Sequence, residues 1–130
     1  MFEIEQHTAD IRLRIVAATV EELFADAVRG LMAVMKASPR GDAQQDSIEI
    51  DAPDLTALLV DFLNEVLLRC HTEQRAFEPE SIVLRDHAIT AGLTARAIDE
   101  FEEDVKAVTY HEAEVVETPD GWSTRLVLDV

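Results

Sequence analysis

The chain has 130 residues, 48% of them hydrophobic, and carries 27 acidic against 11 basic side chains for a formal net charge of -16. That apolar content excludes a disordered chain, and the length fits one domain over residues 1–130 with its own core, hardly two. The acidic excess argues against direct binding of DNA or RNA, which depends on Lys and Arg displacing counterions; it fits cation binding, docking to a basic partner, plain solubility or adaptation to a salty cytoplasm.

The opening Met1-Phe2-Glu3-Ile4-Glu5 has neither the basic region nor the apolar run of a secretory signal. Ile11, Leu13 and Ile15 then alternate with Arg12 and Arg14, the period of a strand buried on one face. Thr19 and Glu22 form a capping box, and Leu23, Phe24, Ala27, Leu31, Val34 and Met35 follow at helical spacing, which predicts a helix over about 20–36. Pro39-Arg40-Gly41-Asp42 ends it in a polar loop, and Ser47-Ile48-Glu49-Ile50 reads as a short strand. Asp54 is placed to cap a second helix whose broad apolar face runs from Leu55 through Leu58, Leu59, Phe62, Leu63, Val66 and Leu67 to Cys70, with Pro79 closing the loop after it. Ile82 and Leu84 belong to one further strand, and Ile89, Ala91, Leu93, Ala95 and Ala97 to another. Val105–Val116 and Trp122–Val130 form a final pair about the turn Thr118-Pro119-Asp120-Gly121. Two helices among mostly antiparallel strands predict an α+β domain of two layers. No stretch is long and apolar enough to cross a bilayer, and the single Cys70 excludes an internal disulfide and reads as a buried free thiol, so a cytoplasmic location is expected.

Glycine-rich phosphate loops, HExxH and CxxC pairs and a nucleophile elbow are all absent, and His7, His71, His87 and His111 lack zinc spacing. Arginines appear singly along the chain, with no basic stripe. Three places remain. His7-Thr8-Ala9-Asp10 is a polar cluster just before a clean strand, where Asp10 serves equally well to bond nearby backbone. Asp129 falls on the strand face of Arg125 and Val127, and Val130 adds a terminal carboxylate; such oxygen-only groups suit calcium or magnesium if Asp10 is brought beside them, and otherwise form a solvated terminus. In Lys106-Ala107-Val108-Thr109-Tyr110-His111, strand parity sets Lys106 and Tyr110 on one side and His111 on the other, where His111 reads as a partly buried structural histidine and Lys106 as a countercharge to Glu102-Glu103-Asp104.

Taken in order, His7-Thr8-Ala9-Asp10, Leu23-Phe24 through Ala27 and Gly30-Leu31, Leu63-Asn64-Glu65, Lys106 to His111, and Trp122 leading to Asp129-Val130 resemble the archease family over essentially the whole chain. The resemblance implies a compact α+β sandwich and an accessory, non-catalytic role. Its partner would be a GTP-dependent RNA ligase of tRNA splicing and RNA repair, whose guanylylation and multiple turnover it promotes, with RNA met only through the ligase and no membrane involved. It further implies a Ca²⁺ site, with Mg²⁺ or Mn²⁺ as alternatives, made by Asp10, Asp129 and the terminal Val130, and it makes Lys106, His7 and His111 candidates for activating the partner. The alternative role it carries is that of a chaperone or specificity modulator for a tRNA cytosine methyltransferase. A small hydrolase using Asp10 and His111 is disfavoured, because no set of nucleophile, base and orienting group can be assembled around them.

Overall fold

A computed structural model of the chain describes residues 1–6 and 10–130. Strand β1 (Phe2–Gln6) is followed by β2 (Asp10–Ala17), helix α1 (Val20–Met35), β3 (Gln44–Asp51), helix α2 (Leu55–Glu73), β4 (Arg75–Arg85), β5 (Ala88–Ala97), β6 (Ala107–Thr118) and β7 (Gly121–Asp129). The class is the α+β one that the hydrophobic periods predict, with two main helices. The seven strands fall into two sheets, ordered β1-β2-β7-β6 and β3-β5-β4, in which every pairing is antiparallel. Both helices pack against both sheets, while among the described residues the strands of one sheet do not meet those of the other, so the helices join the halves.

Local chemistry accounts for the helix ends. The Thr19 hydroxyl accepts a hydrogen bond from the Glu22 N–H at 3.1 Å, and the Asp54 carboxylate accepts one from the Ala57 N–H at 2.8 Å. Each cap satisfies a donor that the first helical turn leaves without a partner. Lys36 (φ 54°) and Gln74 (φ 54°) end the two helices in the left-handed conformation. The apolar faces behind these caps form the core, where Phe24 of α1 and Phe62 of α2 meet with ring centroids 6.1 Å apart. Gly30 lets α1 settle on β2, since a Cβ there would come within 2.9 Å of the Leu13 side chain. Cys70 is fully buried, and burial pushes its thiol up to about 12, which makes it an inert core group.

Two expectations about the strands are corrected. Pro79 does not close a loop: Gln74 turns the chain directly from α2 into β4, and Pro79 lies within that strand at a break in register between Pro79 and Ser81. An edge strand and a break in register, both of which hold at Pro79, are where a strand accommodates a residue without an N–H. Ala97, expected inward with Ile89, Ala91, Leu93 and Ala95, is exposed at the end of β5, and the core is filled there by Ile98 just beyond.

The Thr118–Gly121 turn forms as the sequence predicts, and Gly121 is required at its end. Its φ is 147°, and a Cβ would lie 2.3 Å from the Ala17 carbonyl oxygen of the neighbouring strand. Gly121→Ala is therefore expected to cost about 2 kcal/mol or more from backbone strain and the displaced β2 end. The check is urea unfolding, in which an unchanged midpoint would refute the close approach.

Candidate functional site

The β2–β7 ladder brings the start of β2 beside the end of β7, the last strand of the chain. Leu13 pairs with Leu126 and Ile11 with Leu128, all turned to the core side, and this register sets Asp10 directly opposite Asp129 at the ladder's end. Residues facing each other in this way have Cβ atoms about 5 Å apart, so both carboxylates share the side of the sheet away from the core. Asp129 lies in register with Arg125 and Val127, the face read from the sequence, although Val127 itself is buried. Asp10 is partly buried, and its Oδ1 has no solvent exposure and no hydrogen-bond partner among the described residues. A carboxylate oxygen so placed calls for a cation or a donor. Val130, the next residue after Asp129, is exposed.

Lys106 reaches the same end from the other flank. Its N–H donates to the Asp129 carbonyl oxygen at 2.7 Å, and Ala107, the first residue of β6, pairs with Asp129. Two side chains of α2 fix the segment on either side of it. Asn64 donates from Nδ2 to the Val108 carbonyl at 2.8 Å and accepts from the Val108 N–H at 2.9 Å, replacing the strand neighbour that edge strand β6 lacks. His71 Nε2 lies 3.0 Å from the Val105 carbonyl oxygen. Sequence reasoning attached no role to Asn64 or His71. The signal for Asn64 is its place in Leu63-Asn64-Glu65, among the residues that carry the family resemblance; His71 has none beyond being a polar residue beside the apolar face of α2.

The Lys106–His111 stretch keeps its alternation only as far as its first residues, and the reading of His111 is corrected. Between Thr109, opposite Val127, and Glu114, opposite Arg125, the register slips, with the intervening residues set against Leu126 alone. Glu112 adopts φ 57° within this bulge. His111 is consequently exposed (71%), with Nε2 3.8 Å from a Glu112 oxygen, and is not the partly buried residue that alternation implies. Tyr110, also exposed, donates its phenol hydrogen to Asp61 on α2, a bond that raises the phenol above its ordinary pKa. His7, with Thr8 and Ala9, lies outside the described residues.

Two anionic side chains, those of Asp10 and Asp129, thus stand opposite each other at this edge. Among the described residues no group of three or more His, Cys, Asp or Glu side chains could hold a metal ion. A metal here would have the two side chains of Asp10 and Asp129 as its first ligands. The donors are all hard oxygens, and the partnerless Asp10 Oδ1 is an atom that a cation would satisfy, so the residues fit a calcium-type ion.

Comparison with known proteins gives a consistent match. Residues 2–130 match the model described as "Archease protein family (MTH1598/TM1083)". The chain is similar to the protein archease of Methanosarcina barkeri, 33% identical over 147 residues that span 99% of this chain and 95% of that one. Its fold resembles the crystal structure of an archease from Thermotoga maritima, with a TM-score of 0.73 at 24% identity, covering 100% of this chain and 98% of that one. It also resembles the solution structure of protein 1598 of Methanobacterium thermoautotrophicum, with a TM-score of 0.69 at 26% identity over 99% and 98% of the two chains.

Proposed function

Since this chain belongs to the archease family, we propose that it activates a GTP-dependent RNA ligase of tRNA splicing or RNA repair, promoting guanylylation of the ligase and its multiple turnover. Membership makes it an accessory protein, not an enzyme. The ligase reading rests on family membership, and the metal edge on one observation, the placement of Asp10 against Asp129 with a buried Asp10 oxygen that has no partner among the described residues.

In this reading Asp10, Asp129 and the terminal carboxylate of Val130 hold a divalent cation, Ca²⁺ in the first instance. Bound there, the ion neutralises negative charge on a phosphoryl group presented by the partner. Asp129 does double duty, because its side chain is a ligand and its carbonyl oxygen holds the Lys106 backbone beside it. The exposed Lys106 ammonium then offers a second positive charge to the partner's nucleotide pocket, and His111 stands on the projecting bulge of the same strand. No helix of the described residues is long and apolar enough to cross a membrane. In this reading the protein acts in the cytoplasm, together with its ligase.

The test is guanylylation of the co-occurring ligase with GTP, alone and with wild-type, Asp10→Ala, Asp129→Ala and Lys106→Ala proteins. Stimulation by wild type and its loss in all three variants are expected. Undiminished stimulation by both aspartate variants would remove the metal edge from the mechanism.

A further inference from the structure

Although the sequence shows no basic stripe, the fold makes a basic cluster. Beyond the Asp10–Asp129 pair, the uncovered face of the four-stranded sheet holds a groove of about 310 Å³, lined by Arg12, Arg14 and Arg125 together with Glu112 and Glu114. In a chain of net charge -16 this lining is positive on balance. The register aligns Glu3, Arg14, Arg125 and Glu114 across the four strands, so the two arginines are directly paired in the centre of the row. Like charges opposite one another destabilise a ladder, and the carboxylates beside them compensate weakly: Arg14 lies 4.0 Å from Glu3, and Arg125 lies 3.8 Å from Glu5. Arg12 is different. Its Nη1 donates to Glu112 at 2.6 Å, while its Nε is buried with no partner among the described residues. Glu112 reaches Arg12 across β7 from its left-handed position in the β6 bulge, so an internal carboxylate already occupies one end of the groove.

We propose that this groove binds the phosphate chain of a nucleotide-sized anion, with Arg12, Arg14 and Arg125 as its ligands and Glu112 as the group it displaces. Guanidinium forks match phosphate oxygens in geometry, and an anion between Arg14 and Arg125 removes the repulsion that the register imposes. Size and charge favour a small anion over a nucleic-acid backbone, because the surrounding surface repels an extended polyanion. The assignment is independent of the ligase reading and of the metal edge.

The experiment is NMR titration of the full chain with inorganic pyrophosphate in the presence of EDTA, following the arginine Nε–H and backbone amide signals. Wild type is expected to show saturable shifts at Arg12, Arg14 and Arg125; Arg125→Gln should weaken binding about tenfold. Glu112→Gln, which removes the competing carboxylate, should tighten it, and Arg40→Gln, remote from the groove, should leave it unchanged. A parallel titration with GTP separates the sources of the phosphate: equal affinity assigns the groove to the phosphate chain alone, and tighter binding brings in the nucleoside. The spectra themselves report whether each variant is folded. Shifts that do not saturate, equal weakening by Arg125→Gln and Arg40→Gln, weaker binding by Glu112→Gln, or tighter binding of an oligoribonucleotide than of pyrophosphate would each overturn the proposal.

Discussion

Calcium added to the metal-free protein about a hundredfold above its Kd is expected to stabilise the fold by about 2.7 kcal/mol, which raises the melting temperature by about 8 °C. The reason lies in the ladder's end, where Asp10 and Asp129 are set opposite each other and one Asp10 oxygen is buried without a partner among the described residues. In the absence of metal the two negative charges repel and that oxygen is unsatisfied; a cation removes both penalties in the native state only, because unfolding carries the two residues apart. Asp10→Asn should therefore act in two directions. The metal-free variant should melt no lower than wild type, since a charge has been removed from the pair, yet it should respond to calcium hardly at all. Extending the chain beyond Val130 by a Gly-Ser pair should weaken the response as well, because the terminal carboxylate is moved away. Scanning calorimetry with EGTA and with calcium decides the matter: an equal calcium shift in wild type and Asp10→Asn would rule the edge out as the binding place.

Asn64→Ala is expected to lose about 2–4 kcal/mol of stability, because it leaves both the N–H and the carbonyl of buried Val108 without their partners. Each of those groups now meets the Asn64 amide at hydrogen-bond distance, and an edge strand has no neighbour on that side to take over. Asn64→Asp makes an informative companion, since a carboxylate still accepts from the N–H but repels the carbonyl. It should fall between wild type and alanine at low pH, where the acid is protonated and can donate, and approach alanine at neutral pH. Because β6 begins beside Lys106, the alanine variant should also stimulate a partner ligase poorly at temperatures where it remains folded. Chemical unfolding and the guanylylation assay together check this, and a variant that is fully stable would show that the amide clamp does not hold β6 in place.

How much of this is legible in the sequence follows from the range of each interaction. The two helices are, since the caps at Thr19 and Asp54 act on amides three residues away and the apolar spacing of Leu23–Met35 and Leu55–Cys70 repeats with the helical turn. The β6–β7 hairpin is legible for the same reason, being closed by its own turn. Alternation misled where the chain inserts extra residues: the bulge after Thr109 leaves His111 exposed and turns Glu112 toward Arg12, and nothing in Tyr110-His111-Glu112-Ala113 marks it.

The sequence by itself determined the α+β class, the limits of α1 to within a residue, the start of α2, the family resemblance and the chemical nature of the candidate groups as hard oxygen donors. Only the tertiary structure decided which of these groups meet. The pairing of Asp10 with Asp129, the alignment of Arg14 with Arg125, the reach of Glu112 to Arg12 and the clamp of Asn64 on Val108 join segments far apart in the chain. Their register is set by burying Leu13 against Leu126 and Ile11 against Leu128, since a slip of one residue would turn those side chains out to water.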